Sequence, residues 1–209
     1  MRKTPTCKGR MPLGSARTRS AAISGFTLIE LLVTIAILGI VLALGIPNLR
    51  EFLVRSEVGS IANEFAADIA RTRIEAISRN NCVTMCASTD TNLALTSPPG
   101  LPSCAASGNN WQTGWIIFSN PTCAAGSTAD AANNPVIALR QQGSSSFELE
   151  RGTSAANRFT FDSRGLALGI QGNFTLRYVP EDVSSPHYRT ICVSSAGRVR
   201  TKKYLESCP

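Results

Sequence analysis

Hydrophobic and polar positions along this chain fall into three textures. From Phe26 to Ile46, "FTLIELLVTIAILGIVLALGI" runs for 21 residues with Glu30 as its one charge, a length that spans a bilayer as a helix. Beyond Pro47, the positions Leu49, Phe52 and Leu53, then Val58, Ile61, Phe65 and Ile69, recur at helical spacing, so the run continues as an amphipathic helix. From Phe26 to Arg79 that helix would be about 80 Å long at roughly 1.5 Å per residue, more than one membrane crossing needs, so its second half must pack on a domain. Gly39, Gly45 and Pro47 weaken it between the halves, where a kink or melted turn is expected.

From Cys82 onward, short apolar runs alternate with Gly, Pro, Ser and Asn: "CVTMCAS", "TGWIIFS", "PVIALRQ", "SFELER", "RFTFDSRG", "NFTLRYV" and "TICVSSAGRVR". These read as strands. "RFTFDSRG" points Phe159 and Phe161 inward before a turn at Gly165, as in a half-buried antiparallel sheet. The stretches near 88–110 and 119–135 read as surface loops, and Trp111 and Trp115 as packing residues. The expected fold class is α+β, a long N-terminal helix packed on a β-rich antiparallel head. Its segments are a leader (1–25), the anchor and spine helix (26–80) and the head (81–209).

Charge then sets the chain's orientation. The formal net charge is +7, but residues 1–25 hold six bases and no acid, and the stretch from Val183 to Leu205 holds five bases and no acid. Between them the chain is slightly acidic, so no basic surface covers the whole head. A basic leader before an apolar span stays in the cytoplasm and sends the rest across. The small residue suited to processing, Gly25, precedes the apolar run instead of following it, so cleavage there keeps the anchor. Glu30 inside a membrane span is costly and marks a partner, here the positive amino terminus of another chain.

Six of the seven cysteines, Cys82, Cys86, Cys104, Cys123, Cys192 and Cys208, lie beyond the span. In an exported segment they read as three disulfides and not as metal ligands. The single His187 has no nucleophile or carboxylate at motif spacing and reads as a surface residue. No enzyme activity, cofactor or metal is expected.

The end of the chain, "SSAGRVRTKKYLESCP", concentrates cations. In an extended segment Arg198, Arg200 and Lys202 point to one side and Val199, Thr201 and Lys203 to the other. Cations roughly 6 to 7 Å apart stand at about twice the axial rise per phosphate of one DNA strand, so the row can follow a backbone without reading bases. Gly197 allows a tight turn before the row, and Tyr188 and Tyr204 read either as base-stacking or as packing residues.

Gly25, Phe26, Thr27, Leu28, Ile29 and Glu30 resemble the prepilin processing motif of type IV pilins and type II secretion pseudopilins. The resemblance implies a prepilin peptidase that cuts after Gly25 and methylates Phe26, and a Glu30 that meets the amino group of Phe26 on a neighbouring subunit. "VTMC", "CAASGNNWQTGWIIFS", "FTFDSRG" and "GRVR", in that order, narrow the resemblance to the GspH/FimT family. It implies a bacterial inner-membrane protein with a periplasmic head that moves into a pilus filament at the cell surface, with other major and minor pilins as partners. "GRVR" is similar to the GRxR motif of FimT-like minor pilins, whose C-terminal region binds DNA in natural transformation. That places Arg198, Arg200, Lys202, Lys203, Arg189 and Gly197 on a surface for double-stranded DNA. The alternative is a structural minor pilin or pseudopilin that primes or caps a filament without binding DNA.

Six cysteines permit fifteen pairings. Antiparallel pairing of the strand starting at Cys82 with the one ending near Ser119 would bring Cys82 to Cys123. Cys86 would then bridge to Cys104 and Cys192 to Cys208, closing a C-terminal loop worth about 3 kcal/mol in chain entropy.

Overall fold

A computed structural model of the chain describes residues 25–95, 100–151, 157–169, 172–180, 187–203, 206 and 208. The leader before Gly25, and Tyr204 with its stacking role, lie outside the described residues. The chain divides into two compact units, Met1–Ile46 and Pro47–Pro209. Helix α1, Leu28–Ser78, contributes to both.

In the first unit α1 is apolar and exposed throughout, and long and apolar enough to cross a membrane. Its start is a capping box. The Glu30 amide donates to Thr27 Oγ1 at 3.3 Å, and the Thr27 amide donates back to Glu30 Oε2 at 3.4 Å.

The second unit begins with the rest of α1. Val58, Ala62, Phe65, Ile69, Thr72 and Ala76, three or four residues apart, are its buried stripe. Leu49, Phe52 and Leu53, which the same periodicity groups with them, are exposed. The head's core begins to cover α1 only from Val54, so the apolar face before it is left open. The helix closes with the 6→1 and 5→2 bonds of a Schellman motif, Asn81 N to Ala76 O at 3.1 Å and Asn80 N to Ile77 O at 3.2 Å. Asn80 adopts the left-handed conformation, φ 49°, that this ending requires.

Among the described residues nine antiparallel strands follow in two sheets: β1 Val83–Ala87, β2 Trp115–Ser119, β3 Val136–Arg140, β4 Phe147–Arg151, β5 Arg158–Phe161, β6 Ala167–Leu168, β7 Gly172–Tyr178, β8 Arg189–Val193 and β9 Val199–Lys203. The orders are β3-β2-β1-β5-β6 and β4-β7-β8-β9. Their inner faces meet α1 around an aromatic cluster, in which Phe65 lies 5.5 Å from Trp111 and 4.9 Å from Phe174 between ring centroids. Trp115 Nε1 donates to Asp68 Oδ2 of α1 at 2.8 Å, giving a buried indole its acceptor.

The first sheet departs from the half-buried pattern: β1 and β2 are buried at every position. Disulfides Cys82–Cys123 and Cys86–Cys104 tie down the connections that read as surface loops, and Cys86, Ile116 and Phe118 form a second apolar cluster with Cys104, Ala129 and Val136 on the outer face. The third bridge is Cys192–Cys208, so the three pairs are the ones set out from the sequence.

Candidate nucleic-acid interface

The cationic end is built on the β8–β9 hairpin. Ser194 N donates to Arg198 O at 3.0 Å and Gly197 N to Ser194 O at 2.8 Å, which leaves a three-residue loop ending in Gly197 at φ 69°. Such loops place their last residue in the left-handed region. A Cβ at Gly197 would stand 2.7 Å from Arg73 Cδ, 2.8 Å from Phe161 Cε1 and 2.9 Å from Gly165 O. Both backbone and neighbours therefore demand glycine.

A second turn supports the first. Asp162 accepts from the amides of Arg164 at 3.0 Å and Leu166 at 2.8 Å, and Arg164 Nη2 pairs with it at 3.0 Å. Burial pushes the Asp162 carboxyl up, but these bonds and the guanidinium outweigh it and hold the group below its ordinary value. At the turn's end Gly165 O accepts from Arg73 Nε at 3.0 Å, and Ala167 N donates to Ser195 O at 3.0 Å. α1, the Asp162–Gly165 turn and the hairpin tip are thus locked together.

The register distributes the cations. Arg200 lies opposite Cys192 and Lys202 opposite Thr190, while Val199 faces Val193, Thr201 faces Ile191 and Lys203 faces Arg189. Alternation puts Arg200 and Lys202 on the outer face, with Val199, Thr201, Lys203 and Arg189 on the face that carries Ile191 and Val193 into the core. The expected six-residue surface therefore separates. Arg198, Arg200 and Lys202 follow one side, Lys203 and Arg189 the other, and Gly197 shapes the turn without offering a side chain. Arg198 and Arg200 both border a hollow of about 540 Å³ that is also lined by Cys192 and Cys208 of the third bridge.

Beyond α1, guanidinium bonding sets two arginines apart. Arg140 pairs with Glu64, Arg164 with Asp162 and Arg177 with Glu148. Arg151 donates to Gly169 O, Arg158 to Ala125 O and Ser127 O, and Arg189 to Tyr188 O. The side chains of Arg198 and Arg200 are exposed and have no oxygen partner among the described residues. Tyr188 is buried and packs. His187 is buried too, not a surface residue, because the approach to β8 carries it inward. Among the described residues no three His, Cys, Asp or Glu side chains gather as a metal site.

Arg73 and Asp162 escaped the sequence reading. Asp162 was findable, since Asp followed three positions later by Gly in "DSRG" is a turn signal. Nothing local in the sequence marks Arg73, because its partners are 92 residues or more away.

Residues 62–197 match the family described as Type II transport protein GspH, and residues 21–46 match the prokaryotic N-terminal methylation motif. Over 51 residues the chain is 43% identical to the Type IV major fimbrial protein FimA of Dichelobacter nodosus, a stretch covering 24% of this chain and 31% of that relative. The type IV minor pilin FimU of Pseudomonas aeruginosa, strain PAO1, superposes with a TM-score of 0.51 at 18% identity, over 76% of this chain and 99% of FimU. In a second crystal form of FimU the TM-score is 0.49 over 72% of this chain. At that identity the 0.51 match is one of fold, a long N-terminal helix with an antiparallel β head.

Proposed function

This chain belongs to the family of the Type II transport protein GspH, and from that membership we propose that it is a minor type IV pilin whose β8–β9 hairpin binds double-stranded DNA non-specifically, for DNA uptake in natural transformation. The methylation-motif match over residues 21–46 supports processing after Gly25 by a prepilin peptidase, methylation of Phe26 and anchoring in the inner membrane before assembly with other pilins. Glu30 then exchanges its bond to the Thr27 amide for the amino group of Phe26 on a neighbouring subunit. The minor-pilin place in a filament rests on the fold shared with FimU.

The observation that carries the DNA reading is the pair of exposed arginines on the β8–β9 hairpin, Arg198 and Arg200, without a protein acceptor among the described residues, whereas each guanidinium from Arg140 to Arg189 elsewhere in the head and at the start of β8 is bonded. Arginine grips phosphate with two parallel N–H donors, and the rigid hairpin lowers the ordering entropy that a free tail would lose on binding. Lys202 extends the row. Two or three phosphate contacts give a dissociation constant in the micromolar range or weaker, so firm capture needs several copies.

The test is fluorescence anisotropy of two unrelated labelled duplexes with the full-length chain in detergent. The expected result is equal affinity for both duplexes and at least a tenfold loss in Arg198→Gln/Arg200→Gln. Unchanged affinity in the double variant would leave a filament or secretion subunit whose cations meet acids of neighbouring pilins.

A further inference from the structure

Among the described residues β9 is the outer strand of its sheet, with β8 on one side only. The bond from Ser194 N to Arg198 O fixes the phase of the ladder. Hydrogen-bonded pairs alternate with non-bonded ones along an antiparallel pair, so Arg200 and Lys202 bond to β8, while the amides and carbonyls of Val199 and Thr201 point to the open edge. Lys203 O is already taken by Glu206 N at 3.3 Å. The open stretch is therefore short and defined.

Beside this edge runs α1. Between them lies a groove of about 570 Å³. Its α1 wall offers Ala67 and Ala70, small enough for another chain to approach the helix, and two exposed isoleucines, Ile74 at 64% and Ile77 at 46%. Arg73, Arg198 and Arg200 also line it, with no acid among the lining residues. Arg73 uses Nε on Gly165 O, and its terminal amino groups have no partner among the described residues.

A phosphate strand would use these arginines and could accept from the outward amides, but would gain nothing from the side chains of Ile74, Ile77 and Val199 or from the outward carbonyls. An extended peptide uses all of them, with main-chain bonds to Val199 and Thr201, alternate apolar side chains against α1, and carboxylates on the guanidiniums. A second copy's β9 does not fit, because it would set Arg200 and Lys202 against like charges. We propose that the groove between β9 and α1 takes an extended segment of a partner protein in which apolar residues alternate with Asp or Glu, added to the sheet as a fifth strand. The inference does not rest on the DNA reading, although peptide and DNA would compete for Arg198 and Arg200.

The probe is a labelled eight-residue peptide alternating Val and Glu, with its Val and Lys counterpart as control, titrated against the full-length chain in detergent. Thr201→Pro removes an outward amide without removing a ladder bond. Ala70→Phe fills the groove from the helix side. The Glu peptide should bind and the Lys peptide should not. Each substitution should weaken Glu-peptide binding at least tenfold, while binding of duplex DNA by either variant stays within about threefold of the parent. Ala70→Phe stands in if Thr201→Pro fails to fold. No binding of the Glu peptide up to millimolar concentration, or binding indifferent to a folded Thr201→Pro and to Ala70→Phe, overturns the proposal. Loss of DNA binding in Arg198→Gln/Arg200→Gln bears only on the other reading.

Discussion

Arg200 of β9 lies directly opposite Cys192 of β8, the cysteine bridged to Cys208. The arginine proposed to hold phosphate is thus the cross-strand neighbour of the residue that anchors the end of the chain. Replacing both cysteines by serine should lower stability by about 3 kcal/mol, since the bridge closes a loop with a sequence separation of 16. DNA affinity should fall about three- to tenfold as the hairpin loses preorganisation. Denaturant titration and anisotropy on the same preparation check both.

Gly197→Ala should be among the most damaging single changes in the head. A left-handed backbone costs a non-glycine residue about 1–2 kcal/mol, and the new methyl would meet Phe161, Arg73 and the Gly165 carbonyl at under 3 Å, adding about 1–3 kcal/mol of overpacking. At about 2–4 °C per kcal/mol for a unit of this size, Tm should fall by about 4–20 °C. A fall below about 2 °C would mean that the turn moves freely and does not position the arginines.

The Asp162 turn carries a pH signature. Its carboxyl is held below the ordinary value of 3.8 in the folded chain, so its contribution to stability is complete above that value. The contribution is lost as pH falls from about 4 down through the lowered folded value. Asp90, which burial pushes up while bonds from Ser88 and Ser103 hold it down, behaves the same way. Asp162→Asn should reduce stability at pH 7 and flatten its fall in acid relative to the parent. Parallel Tm–pH profiles of parent and variant would count against this role.

Much of the architecture was legible because it rests on local periodicity. α1 follows from apolar residues at helical spacing, the strands from short apolar runs, and the division of Arg200 and Lys202 from Val199 and Thr201 from simple alternation. Position along α1 was not legible: Leu49, Phe52 and Leu53 have the same pattern as Val58 and Phe65, and only tertiary packing decides which are covered. The two-sided burial of β1 and β2 depends on loops drawn over them by Cys82–Cys123 and Cys86–Cys104, a long-range effect invisible in the strands themselves. Arg189 shows the limit at the site. Its charge groups it with the C-terminal cations, but the register with Lys203 puts it on the other face. Thr27 and Glu30, a threonine followed three positions later by glutamate at a helix start, were legible as a capping box, a role that the prepilin motif obscured.

The most direct test of the DNA account is the salt dependence of duplex binding by the full-length chain and by Arg198→Gln/Arg200→Gln. Each phosphate contact contributes about 0.9 to the slope of log affinity against log salt. If Arg198 and Arg200 each neutralise a phosphate, the double variant should bind more weakly and with a slope smaller in magnitude by about 1.8. An unchanged slope and affinity would mean that neither arginine touches the backbone, and would contradict the assignment of the β8–β9 hairpin as the DNA-binding surface.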